Sequence, residues 1–165
     1  MAPAFNADEI YEMGEQVERN GARFYRTALK RFHDPAVVEL LQYLADQEGE
    51  HLKTFRRLRK ELAARAEMPE VYDPQGEAQA YLMAAADNHV FRVNERVDAV
   101  LKDVGDVRSA LEMALRFEKD TVAFFSAMEN VVPAELGKAD VGRLLAEEHE
   151  HIRMLNERMK KLGAA

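Results

Sequence analysis

Two copies of one short pattern could do chemistry: Glu48-x-x-His51 and Glu148-x-x-His151, each a carboxylate three residues ahead of an imidazole. On a helix, residues three apart share a face, so each pair presents two potential metal ligands to the same side. One pair alone is weak evidence, because a helix rich in glutamate often carries such a pair on its solvated surface. The second copy lies in AEEHEHIRML, where Glu147, Glu148, His149, Glu150 and His151 are consecutive. Helical spacing sorts these five by face. Glu148 and His151 interrupt an apolar stripe of Val141, Leu144, Leu155 and Met159, whereas Glu147, His149 and Glu150 fall off it and read as solvent-facing.

The first copy has the same setting, with Glu48 and His51 interrupting Leu41, Leu44, Phe55 and Leu58. These glutamates should therefore point inward. Buried carboxylates need a compensating charge, and no lysine or arginine stands on either stripe to supply it. Glu18 and Glu118 also sit among inward positions, beside Gly14, Val17, Gly21 and Tyr25 in one case and Ala114, Phe117, Thr121 and Phe125 in the other. Their heights agree. From Glu18 to a turn near Phe32, and from Asp34 to Glu48, the chain rises roughly 21 Å on each arm at about 1.5 Å per residue. The same count applies between Glu118 and Glu148. Four carboxylates and two imidazoles would then face one layer, and two divalent cations would neutralise the four negative charges. Such ligands suit iron, manganese and zinc and disfavour thiolate-seeking metals.

The elements that must position these groups are helices. Gly and Pro are sparse, at 8 and 5 residues, and long stretches combine Ala, Leu, Glu, Arg and Met, which lose little side-chain freedom in a helix. Asn6-Ala7-Asp8-Glu9 has the form of a helix start, giving a first helix over 7–32. Asp34 as cap and Pro35 at the first helical position open a second over 35–65. From 66 to 106, Met68-Pro69 and Asp73-Pro74 break the pattern and leave two weaker helical runs, 75–88 and 94–103. Asp106 caps a third helix over 107–130, and Val132-Pro133 ends it. A fourth starts within 134–140 and closes near Leu162-Gly163, which we write as 138–162. Two helical hairpins joined by a long, partly helical crossover make a single all-α domain, the layout of a four-helix bundle. The hairpins echo one another at an offset of 100 residues, pairing Glu18 with Glu118, Phe24 with Phe124, Glu48 with Glu148 and His51 with His151.

On these residues the chain resembles the ferritin-like superfamily, and within it the rubrerythrin-like di-iron carboxylate proteins. The resemblance covers 7–65 and 107–162. It implies a ferritin-like four-helix bundle in which Glu18 and Glu118 are terminal metal ligands, Glu48 and Glu148 bridge two metals, and His51 and His151 each bind one. It also implies an outer role for Tyr25, two turns beyond Glu18, beside the cluster, with core packing and a hydrogen-bonded hydroxyl as the alternative. The chain departs from rubrerythrins in two ways. Without cysteine it has no rubredoxin domain, and Leu115 and Thr121 stand where a further glutamate would flank Glu118. Bacterioferritin shares the ligand set, but Gly49 occupies the place of its haem-ligating methionine. Storage ferritins lack the second Glu-x-x-His.

The expected cofactor is two iron ions, with manganese or a mixed iron–manganese pair as alternatives. The expected activity is that of a non-haem di-iron oxidoreductase, a peroxidase or ferroxidase, reacting with dioxygen or hydrogen peroxide and drawing on an external electron donor. Iron storage or loading, and a metal-free helical interaction module, are the competing readings. A net charge of −7 argues against nucleic acid or an anionic membrane as partner. The absence of cysteine excludes disulfides, thiolate zinc sites and cysteine-ligated iron–sulfur clusters. No long apolar run or basic leader is seen, so a cytoplasmic location is expected. The long connection leaves room for a homodimer. Among the remaining polar residues, His33 reads as a turn residue and His89 as a partner within the crossover. Glu15, Glu50 and Glu112 read as solvated, with Glu15 or Glu112 at the edge of the site as an alternative.

Overall fold

The computed structural model describes residues 6–65, 71, 73, 75–87, 97 and 101–163. Among them are five α-helices: α1 (Ala7–Leu29), α2 (Pro35–Ala63), α3 (Glu77–Asp87), α4 (Val107–Val131) and α5 (Lys138–Gly163). Local chemistry starts the bundle helices. The Asn6 side chain accepts from the Glu9 N–H at 2.9 Å, and the Glu9 carboxylate reaches back to the Asn6 N–H at 3.5 Å, a capping box that satisfies free donors of the first turn. Asp34 accepts from the N–H groups of Ala36 and Val37, both at 3.0 Å, with Pro35 pre-set for the first turn of α2. Asp106 accepts from Ser109 N–H at 2.7 Å and opens α4.

The ends differ from the sequence expectation by one to three residues. Helix α1 stops at Leu29 rather than 32, because the N–H groups of Lys30 and Arg31 turn back to the carbonyls of Thr27 and Ala28 and tighten the last turn. Phe32 remains buried and anchors this turn against the core. Helix α2 closes at Ala63 rather than 65, while α4 and α5 each run one residue further than expected. A 3-10 turn, Ala134–Leu136, and Gly137 separate the last two helices. Gly137 has φ +105°, and a Cβ there would lie 2.6 Å from Leu58 Cδ2 and 2.9 Å from the Tyr11 hydroxyl oxygen. Only glycine satisfies both demands. The Tyr11 hydroxyl donates to the Leu136 carbonyl and ties α1 to this turn.

Helices α1 and α2 form one hairpin and α4 and α5 the other, with α1 also meeting α4 and α2 meeting α5. That is the all-α, four-helix arrangement expected. Tyr25, Leu41, Leu44, Phe55, Leu111, Phe117, Phe125 and Leu155 are fully buried between the hairpins. Each contributes about 1.5–3 kcal/mol of hydrophobic stabilisation, enough together to hold a polar layer inside the bundle. The first crossover run appears as α3, which packs along α4. The second, 94–103, lies mostly outside the described residues; its described part includes buried Val97 and a 3-10 turn, Leu101–Asp103. Arg31 donates to the carbonyls of Leu101 and Val104, the latter at 2.7 Å, fastening the crossover to the end of α1. No described helix is long and apolar enough to cross a membrane.

Candidate metal centre

All six residues singled out by spacing lie together. Glu18 comes from α1, Glu48 and His51 from α2, Glu118 from α4, and Glu148 and His151 from α5; the four carboxylates are 0% exposed and the imidazoles 1%. Their donor atoms fall into two overlapping groups, Glu18–Glu48–His51–Glu148 and Glu48–Glu118–Glu148–His151, each within 4.8 Å. Glu48 and Glu148 belong to both groups. Each histidine aims Nδ1 at the carboxylates: His51 lies 2.8 Å from Glu148 Oε1 and 3.4 Å from Glu18 Oε2. His151 lies 3.0 Å from Glu148 Oε2, 3.5 Å from Glu118 Oε1 and 3.6 Å from Glu48 Oε1. The rings stack at 5.5 Å with 14° between their planes. Helix register explains the convergence: equal rises from the hairpin turns bring the Glu18 and Glu48 levels together, as the sequence count anticipates.

Such a layer cannot be ionised throughout in a dry interior. Burial, and then their carboxylate neighbours, push Glu18 and Glu48 well above the usual carboxylate range. Glu118 is raised to about 8 by burial and next by Glu148. Burial alone would lower the imidazoles, but the surrounding carboxylates outweigh it and push His51 up to about 9 and His151 up to about 11. Burial would also raise Glu148, yet its hydrogen bond with His151 and the neighbouring His51 imidazole hold it below the usual range. Protons thus supply the positive charge that the apolar stripes lack.

Hydrogen bonding nevertheless leaves the layer incomplete. Among the described residues, the buried side-chain atoms without a hydrogen-bond partner are both oxygens of Glu18 and Glu48, Glu118 Oε2, Glu148 Oε1, His51 Nδ1 and His151 Nε2. Every one belongs to these six side chains. His51 Nδ1 and Glu148 Oε1 are close yet not aligned as donor and acceptor, as expected of groups arranged around a shared cation. A donor set of oxygen and imidazole nitrogen fits hard and borderline divalent metals.

The surroundings correct two sequence expectations. Glu147, expected to face solvent, is partly buried, and its Oε2 lies 2.8 Å from His51 Nε2 across the α2–α5 contact. One sequence signal was available, since a residue immediately before an inward glutamate lies on the flank of its helix rather than on the opposite face. Glu15, expected to be solvated, is 8% exposed. It is not part of the cluster, because Arg59 at 3.3 Å and Arg19 at 3.4 Å take its charge. Tyr25 is fully buried and its hydroxyl donates to Glu118 Oε1, on the opposite hairpin. His33, Glu112, His149 and Glu150 are exposed; His149 bonds the Leu145 carbonyl at 2.8 Å, and Glu150 pairs with Arg153. Glu50 pairs with Lys53 at 2.6 Å. His89 lies outside the described residues. A Cβ on Gly21 would be 2.4 Å from Phe117 Cζ and 2.7 Å from Glu48 Oε2, so glycine there lets Glu48 settle against α1.

The fold defined by these helices is the ferritin-like helical bundle. A crystal structure from Thermotoga maritima, described as a ferritin-like diiron-carboxylate protein, superposes with a TM-score of 0.70 at 19% identity, covering 95% of this chain and 96% of that one. No family model and no curated protein matches the sequence.

Proposed function

We propose that the centre binds two iron ions and that the protein is a non-haem di-iron oxidoreductase acting on dioxygen or hydrogen peroxide. The observation that carries this reading is the pair of four-residue groups sharing Glu48 and Glu148, in which every unpaired buried side-chain polar atom among the described residues resides. Glu18 with His51 would hold one ion, Glu118 with His151 the other, and the two shared glutamates would bridge them, a rubrerythrin-like assignment. The diiron-carboxylate description of the Thermotoga maritima protein supports the choice of metal; manganese or a mixed pair would fit the same donors.

When bound, two iron(II) ions supply one electron each to dioxygen or peroxide. The chain's part is to hold the pair together, neutralise its charge and keep bulk water out. Four carboxylates balance two divalent cations, and the enclosing bundle strengthens that attraction by lowering the local dielectric. Tyr25 holds a proton at Glu118 Oε1, within the centre. With no cysteine among the 165 residues, an external electron donor would complete turnover. We place the reaction in the cytoplasm, where reductants maintain iron(II), and the long crossover can serve a homodimer.

Anaerobic iron(II) titration of the metal-free protein, followed by dioxygen or peroxide, tests the proposal. Two irons per chain and a new near-ultraviolet ferric absorption are expected, with the faster oxidant separating peroxidase from ferroxidase. Failure to bind iron would remove the reading. A cage-sized particle on gel filtration that retains many irons per chain would favour storage instead.

A further inference from the structure

The two halves of the centre repeat at a 100-residue offset, but their outer contacts do not. Glu147 corresponds to Gln47, and Tyr25 corresponds to Phe125. On one side, His51 Nε2 lies 2.8 Å from the Glu147 carboxylate, and neither oxygen of Glu18 has a hydrogen-bond partner among the described residues. On the other, His151 Nε2 is buried without a partner among the described residues, with the Tyr43 ring edge-on at 6.3 Å, and Glu118 Oε1 is already engaged by the Tyr25 hydroxyl.

Each difference acts in the same direction. A carboxylate accepting the outer N–H of a metal-binding histidine selects the tautomer that frees the other nitrogen and makes that nitrogen more basic. Glu147 does this for His51, leaving Nδ1 ready for a cation. For His151 to offer Nδ1, its proton must sit on Nε2, a buried donor with no acceptor among the described residues. A hydroxyl donating to Glu118 draws electron density from that carboxylate, whereas Glu18 keeps its full donor strength.

We propose, resting on the dinuclear reading above, that the two metal positions are inequivalent: the Glu18–His51 position fills first and more tightly, and Glu147 is the positioning residue that sets this order. The Glu118–His151 position is the weaker and the more readily emptied, and loss of one metal from the loaded pair occurs there.

Anaerobic Co(II) titration of the full-chain, metal-free protein, followed by calorimetry and visible d–d absorption, tests this without recourse to activity. Wild type should bind in two steps at least tenfold apart. Glu18→Ala should abolish the tighter step and Glu118→Ala the weaker one, fixing the assignment. Glu147→Ala should weaken the tighter step by about 10–100-fold, the usual effect of removing an outer-shell partner, and leave the weaker step within about twofold. Gln47→Glu, which adds a carboxylate at the repeat-related position, and Tyr25→Phe, which frees Glu118, should each tighten the weaker step. Two indistinguishable steps in wild type, or equal weakening of both steps by Glu147→Ala, would overturn the inequivalence while leaving a dinuclear centre intact. No Co(II) binding at all would overturn the dinuclear reading itself.

Discussion

Replacing Glu48 with methionine should stabilise the metal-free protein and destroy its metal site. Glu48 is fully buried, and neither of its oxygens has a hydrogen-bond partner among the described residues. A buried polar group left unpaired costs about 1–3 kcal/mol. Methionine has a similar length, no branching and a flexible thioether, so it can occupy the same space over Gly21 without the polar penalty. The metal-free variant should gain about 1–3 kcal/mol. For a chain of 165 residues, with a shift of about 2–4 °C per kcal/mol, the melting temperature should rise by about 2–12 °C. Metal reverses the order. At free iron(II) about 100 times its Kd, wild type gains about 2.7 kcal/mol per site, whereas the variant has lost a carboxylate common to both groups. Paired thermal melts after chelation and after anaerobic iron(II) loading, with metal analysis, measure both effects. A metal-free variant that melts at or below wild type, or that still holds two irons, would refute the reasoning.

Gly21→Ala should lose up to about 2.5 kcal/mol, since overpacking costs about 1–3 kcal/mol and the gain in helix propensity offsets about 0.5–1; it should also weaken iron binding by displacing Glu48, as urea denaturation and titration will report. Stability of the metal-free protein should fall as pH rises from 6.5 to 9. The His51 proton stabilises the fold fully below the ordinary value of 6.5, and that contribution is lost through its folded value of about 9. Glu118, raised from 4.5 to about 8, acts in the same sense. Iron(II) affinity should rise over that interval, because the ligands must shed those protons; melts that strengthen with pH in the metal-free state would contradict this. Asp34→Ala removes a cap that accepts two N–H groups at 3.0 Å and should cost about 0.5–2 kcal/mol in chemical denaturation. Iron stoichiometry should not change, because Asp34 lies at the hairpin turn, away from the centre.

The helix starts, the inward faces and the six clustered side chains were legible in the sequence because each rests on local rules. Asn6, Asp34 and Asp106 cap helices through contacts two or three residues away, and a period of 3.6 residues sorts Glu148 and His151 from His149 and Glu150 whatever the helix packs against. Even the common height of Glu18 and Glu48 follows from counting equal rises about a turn. What a side chain meets across a helix interface depends on the distance and rotation between helices, which spacing along one chain does not specify. Glu147 reaching His51, Glu15 turning to Arg59 rather than the cluster, and Tyr25 donating to Glu118 on the other hairpin are all of that kind. Spacing along the chain brings the six groups to one layer; packing between helices sets which neighbours support them from outside, and it is there that the Gln47/Glu147 and Tyr25/Phe125 differences make the two halves chemically unequal.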